Sequence, residues 1–269
     1  MPPLTPAVQG SRVTLAYDGR VALEASDFEV PTGRVTAVIG PNGSGKSTLL
    51  NAMAGLHEPA AGRLEVLGQP PGQVRRWVAY VLQAGRVNRQ MPVTVREVVA
   101  MGRYAGRGLL GRLSRADRRA IDAALARLQI GHLAPRRLHE LSAGQRQRVF
   151  VAQGLAQDRR LFLLDEPITG LDLVSRDHVL AAIDEEREEG RTVVMTTHDL
   201  SEAGFADQVM VLAGRVVAAG TPEEVLTAPY LSEAYGVRMV EIGGRLVVDD
   251  PAHAPVGERH LHRERRGDR

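Results

Sequence analysis

The sequence predicts an α/β fold, in which a parallel-sheet core is interrupted by a helical insertion. Three observations carry this expectation. Leu161–Asp165 (LFLLD) and Thr192–Thr196 (TVVMT) are short continuous apolar runs, the pattern of strands covered on both faces. A helical stretch over roughly Ser175–Glu189 separates them, giving the β–α–β alternation of a parallel sheet. From Gln83 to Gln157 the pattern changes to helices.

Taken in chain order, Arg12–Tyr17 and Phe28–Val30 read as strand, turn and strand. Arg34–Ile39 is a β-rich run that stops at Gly40. The residues after GKST are helical until Gly55, and GRLEVLG and WVAYVLQ are strands bounded by turn residues. In the insertion, Thr94 with Glu97 and Ser114 with Asp117 have capping-box spacing, each ahead of a run with apolar residues three and four apart. After Gly220, TPEEV starts another capped helix, and VRMVEIGGRLVVDD reads as a hairpin about Gly243–Gly244. Residues 251–269 are polar, Arg-rich and broken by proline, and read as a disordered tail. His253, His260 and His262 lie there; a solvated tail is the favoured reading over metal ligation.

Composition narrows the function. A chain of 269 residues can bury a sizeable core, and a formal net charge of +2 is too weak to argue for nucleic acid. With no cysteine, disulfides and thiolate metal sites are excluded. The first residues lack the basic and apolar segments of a signal peptide, and no stretch approaches the ~18 apolar residues of a membrane span. A soluble, cytoplasmic protein that reaches any membrane through a partner is expected.

GPNGSGKST, residues 40–48, fits the phosphate-loop pattern of Gly, four residues and Gly-Lys-Ser, placed between a strand and a helix. Gly43 and Gly45 would let backbone N–H groups approach phosphate, helped by the helix N-terminus. Lys46 would reach the β- and γ-phosphates, and the Ser47 hydroxyl would ligate Mg²⁺. The LFLLDEP strand delivers Asp165 to its carboxyl end to hold Mg²⁺, and Glu166 follows as a candidate general base for an attacking water. His198, after TVVMT, lies at the sheet edge where ligands collect and is a candidate γ-phosphate contact. Gln83, at another strand end, could offer an amide to Mg²⁺ and the water.

Together these motifs resemble the ATP-binding cassette ATPases of membrane transporters, over about Arg12–Leu226. Tyr17 matches the aromatic that stacks on adenine. Gly40, Pro41, Asn42, Gly43, Ser44, Gly45, Lys46, Ser47 and Thr48 match the Walker A loop, and Gln83 the Q-loop glutamine. LSAGQ (141–145) matches the family signature, LFLLDE the Walker B strand, TGLD the D-loop with Asp172, and His198 the switch histidine. The resemblance implies a P-loop NTPase with a RecA-like core, an antiparallel β subdomain and a helical signature subdomain of about 84–157. The ATPase domain would span 11–226 and a helix and hairpin extension 227–250. It also implies that two copies bind head to tail, with ATP between the Walker A loop of one and the signature of the other. Ser142, Gly144 and Gln145, with the helix beginning near Gln145, would then face the partner's γ-phosphate. Two phosphate motifs in one chain are thereby explained. Ala143 stands where the family more often has glycine, and TGLD replaces SALD; neither departure removes a reacting group.

The insertion segment MPVTVREVVAMGRYAGRG is similar to the cassettes of metal importers, and LDLVSRD after the D-loop is closer to the zinc/manganese group than to the siderophore group. A siderophore, haem or cobalamin importer is the alternative, favoured by the ending YGVRMVEIGGRLVVDD. The implied partners are a second copy, a transmembrane permease on the cytoplasmic face of the membrane and, indirectly, an extracytoplasmic solute-binding protein. A soluble iron–sulfur assembly cassette is opposed by the coupling-type insertion. A repair ATPase is opposed by the absence of room for a coiled coil, and a translation cassette by the single motif set.

Overall fold

The computed structural model describes residues 5–17, 19–82, 92–104, 112–242 and 245–248. Gln83, the Gly243–Gly244 turn and the tail expected to be disordered lie outside the described residues.

The centre is a six-stranded sheet in the order β5 (Val78–Val81), β6 (Leu161–Leu164), β7 (Thr192–Thr196), β3 (Val35–Ile39), β8 (Gln208–Leu212), β9 (Val216–Gly220). The first five are parallel and β9 closes the edge antiparallel to β8. The apolar runs have no alternation because the sheet has a core on each face. Leu161 and Leu163 of β6 join one core while Phe162 and Leu164 join the other; Val194 is likewise opposed to Val193 and Met195.

One face is covered by α1 (Lys46–Met53) and by an antiparallel sheet of β1 (Val8–Tyr17), β2 (Arg20–Val30) and β4 (Ala61–Val66), in the order β2-β1-β4. β2 is far longer than Phe28–Val30 alone, because its alternation is broken by shifts in register with β1 that hide it from a period-two reading. A short helix, α2 (Pro71–Val74), connects β4 towards β5. The other face carries α3 (Val95–Tyr104), α4 (Arg115–Arg127), α5 (Ala143–Ala156) and α6 (Leu173–Glu188). Both predicted capping boxes form. The Thr94 N–H donates to Glu97 at 2.7 Å, and the Ser114 N–H to Asp117 at 2.8 Å. After β7 come α7 (Leu200–Ala203), then β8 and β9, then α8 (Pro222–Val225) with its Thr221–Glu224 box, and α9 (Ala228–Tyr235). β10 (Met239–Ile242) and β11 (Arg245–Val248) pair antiparallel.

Close packing of the helices depends on Gly102. A Cβ there would lie 2.4 Å from the Gln153 carbonyl oxygen, so α3 and α5 cross at a distance that no side chain permits. Gly102→Ala is expected to destabilise the fold by about 1–3 kcal/mol, because a backbone oxygen cannot swing aside. Gly72→Ala, with nothing within 4 Å of its Cβ, is expected to change stability by about 0.5 kcal/mol at most. Equal urea midpoints for the two variants would contradict this.

Candidate active site

β3 runs into residues 40–45, and the chain turns there into α1. Gly45 caps α1 with φ 99°, and a Cβ on it would meet the Ala22 carbonyl oxygen at 2.5 Å, so both its conformation and its surroundings require glycine. No acidic residue occupies the first turn of α1, so no carboxylate of the helix itself compensates its positive end. The loop and the ends of β6 and β2 enclose a polar cleft of about 270 Å³, lined by Asn42, Gly43, Gly45, Lys46, Ser47, Thr48, Asp165, Glu166 and Ala22.

Lys46 is buried, and its ammonium donates to the carbonyl oxygens of Gly40 (2.7 Å) and Pro41 (3.0 Å). Burial pulls it below the usual lysine range, opposed by the carboxylates of Glu166 and Asp165. Asp165, 3% exposed, accepts from the Ser47 hydroxyl at 3.1 Å and from the Thr196 hydroxyl at 2.9 Å. Glu166 has φ 49°, a left-handed conformation that costs a non-glycine residue about 1–3 kcal/mol. It is held there by its N–H, which donates to the Thr196 hydroxyl at 2.9 Å. Thr196 therefore joins both acidic residues, a role the sequence reading did not assign. The available signal was a threonine at the carboxyl end of a strand whose middle is apolar.

Among the other described candidates, Tyr17, His198, Ser142, Gly144, Gln145 and Asp172 do not line this cleft. Tyr17 ends β1 with 64% of its surface exposed, and the His57 ring is 6.3 Å from it. The His57 Nε2 lies 2.5 Å from the Ala16 carbonyl oxygen. Pro41 and Ser44 belong to the loop, with Ser44 buried. His198 is exposed on the segment after β7 and does not line the cleft.

Ser142, Gly144 and Gln145 also lie outside it, at the start of α5. That helix begins at Ala143 rather than near Gln145. Ser142 is its N-cap, accepting from the Gln145 N–H at 3.2 Å, while its own N–H donates to the Gln145 side chain at 3.0 Å. Signature residues thus double as a capping box, which the sequence reading took as a phosphate motif alone. A Cβ on Gly144 would lie 3.3 Å from Leu171, in the segment before α6, and 3.8 Å from the Asp172 carboxylate. Asp172 caps α6, which consequently starts at Leu173, two residues earlier than expected. It accepts from the Ser175 N–H and hydroxyl, both at 2.9 Å. The Ser175 backbone bond, then the hydroxyl bond, holds its carboxyl below the usual range.

The oxygen donors of the cleft suit a hard divalent cation: a buried carboxylate beside a hydroxyl matches what Mg²⁺ prefers. The cleft's loop, lysine and helix end suit a polyphosphate.

Comparison with known proteins agrees with this geometry. The family described as ABC transporter matches residues 23–169. The zinc transport system ATP-binding protein TroB of Treponema pallidum is 38% identical over 234 residues, covering 87% of this chain and 88% of TroB. The manganese transport system ATP-binding protein MntB of Bacillus subtilis is 35% identical over 243 residues, covering 90% and 97%. Among solved structures, a dimeric ATP-binding cassette in a post-hydrolysis state, bound to ADP and Pi, superposes with a TM-score of 0.71 at 26% identity. It covers 80% of this chain and 98% of that one. With a phosphate loop and acidic strand end on one cleft, and a family match over more than half its length, this chain belongs to the ABC transporter family as a nucleotide-binding, ATP-hydrolysing subunit.

Proposed function

We propose that the chain powers a membrane importer of zinc or manganese. The observation that carries the ATPase part is the convergence of Lys46, Ser47, Asp165 and Glu166 on one cleft. The cargo rests on likeness along most of the chain to zinc and manganese transport subunits.

In this reading the ATPase domain spans 11–226, with a helical part of about 84–157 and an extension over 227–250. ATP lies along the Gly40–Thr48 loop with its adenine on Tyr17. Lys46 exchanges its two carbonyl partners for phosphate oxygens, and the loop N–H groups take the rest. Ser47 and Asp165, with Gln83, would hold Mg²⁺, which would supply charge neutralisation of the phosphates. Glu166 accepts a proton from the attacking water as that water adds to the γ-phosphorus and the bond to ADP breaks. His198 and Gln83 steady the γ-phosphate end. A second copy, head to tail, brings Ser142, Gly144 and Gln145, with Asp172 nearby, onto that phosphate. The separation of these residues from the cleft in a single chain supports the two-copy arrangement.

The permease is taken up on the face between β5, α3 and α5, placing the chain peripherally on the cytoplasmic side of the membrane. An apolar cleft of about 280 Å³ opens there, lined by Val81, Leu82, Val98, Met101 and Phe150 among others. Leu82 and Met101 are more than a third exposed at its rim. No helix among the described residues is long and apolar enough to cross a membrane. The solute-binding protein is reached only through the permease.

Cells carrying Glu166→Gln in place of the native protein are expected to lose zinc or manganese selectively under metal limitation. Zinc, manganese and iron are assayed together. A fall in iron alone would assign the chain to the siderophore or haem group, and unchanged metals with lost ATP turnover would refute import.

A further inference from the structure

His198 is exposed and sits in a turn that other side chains must hold. The Asp199 N–H donates to the Thr197 hydroxyl at 3.0 Å, and that hydroxyl donates to Glu202. Asp199 in turn accepts from the Ser201 N–H at 2.7 Å and from its hydroxyl at 2.6 Å. These bonds fix the turn internally, and the Thr197 N–H ties its start to β3 through the Val38 carbonyl at 3.1 Å; none of them ties the turn to α6.

Arg176 supplies the tie to α6. Its guanidinium donates to the Ser201 hydroxyl oxygen at 3.1 Å and faces the Asp199 carboxylate at 3.9 Å, with the side chain about three-quarters buried. Ser201 has already spent its own hydrogen on Asp199, so its oxygen is left to accept, which matches a donor-only guanidinium. Arg176 also belongs to the first turn of α6, and its N–H donates to the carbonyl of Asp172 at 2.9 Å. Leu171 and the Asp172 cap in turn lie beside Gly144 at the start of α5, 3.3 and 3.8 Å from where a Cβ on it would stand. The start of α5, the N-terminus of α6 and the turn carrying His198 are therefore neighbours, with Arg176 bridging the last two.

We propose that Arg176 is a positioning residue for His198, anchoring the turn over residues 197–202 to the N-terminal turn of α6 and so to the segment that meets the second copy. This rests on the role given above to His198. A misplacement of the order of an ångström at a reacting group lowers turnover without changing how substrate is held. ATP turnover is measured on the full chain at concentrations where two copies meet. Arg176→Ala is expected to lower kcat about tenfold, leaving the KM for ATP and the urea midpoint unchanged. Arg176→Lys, which keeps a donor and a charge, should restore most of the loss. Ser201→Ala should lower kcat in the same direction and less. A kcat for Arg176→Ala within a factor of about two of native would overturn the proposal. So would a loss that Lys fails to restore and that tracks a lowered urea midpoint. His198→Ala separates the layers. If it is impaired while Arg176→Ala is not, only the positioning role falls. If His198→Ala turns over normally, the reading of His198 fails and the proposal falls with it.

Discussion

Glu166→Gln is expected to lower ATP turnover at least ~100-fold while leaving ATP affinity intact, the scale on which a positioned general base contributes. The variant keeps the side chain's length and shape, so the left-handed backbone at Glu166 and its N–H bond to Thr196 are preserved. What goes is the capacity to take a proton from water, together with one negative charge facing the phosphates. Loss of that charge removes repulsion from a site that also holds Asp165, so affinity should hold or rise. Two copies would then close on ATP and fail to reopen, and a nucleotide-dependent dimer should accumulate on size exclusion. Retained turnover would remove the base assignment. Joint loss of turnover and binding would instead make Glu166 a scaffold for the loop, the role its strained φ would then serve.

The parts of this site that could be read from the sequence are those whose chemistry is set by short spacings. Gly40–Thr48 follows one strand and opens one helix, so loop, lysine and hydroxyl are fixed by local order. Three-residue spacing likewise marked the caps at Thr94 and Ser114, because N-cap and N3 residues meet wherever a helix starts. β8 and β9 escaped notice: Gln208–Leu212 and Val216–Gly220 carry no motif, and β9 is an edge strand with no fully buried residue. Thr196 was missed for a different reason. Its bonds to Asp165 and to the Glu166 N–H exist because β6 and β7 pair in parallel with Leu164 beside Met195, a register that no window of sequence contains. Nor could the sequence separate the Walker A match and the signature match in space. The resemblance implied that two chains share them, and in the single chain Ser142–Gln145 lie outside the cleft.

The largest stability loss is expected at Glu186, 59 residues from one of its two partners. Glu186 is 1% exposed, and each carboxylate oxygen is taken by a different arginine. Arg127 of α4 reaches Oε1 at 2.5 Å, and Arg191, ahead of β7, reaches Oε2 at 2.6 Å. Arg127 also donates to the Ala182 carbonyl at 2.9 Å. One carboxylate therefore fastens the helical part to the core at a point away from the nucleotide cleft. Breaking a buried ion pair by removing one partner costs about 3–5 kcal/mol, since the other charge stays desolvated. Here the guanidiniums are about a fifth exposed and keep Glu185, Asp158 and Glu189 as partners, which puts Glu186→Ala near the lower end, about 3 kcal/mol. Glu185→Ala, at a half-exposed partner of the same arginine, should cost under about 1 kcal/mol. Urea midpoints compare the two directly, and equal shifts would refute the argument. Replacing Glu186 and Arg127 together by apolar residues of similar volume should recover only part of the loss. The double variant removes the stranded charge of Arg127, but Arg191 still loses its Glu186 partner and keeps only Asp158 and Glu189.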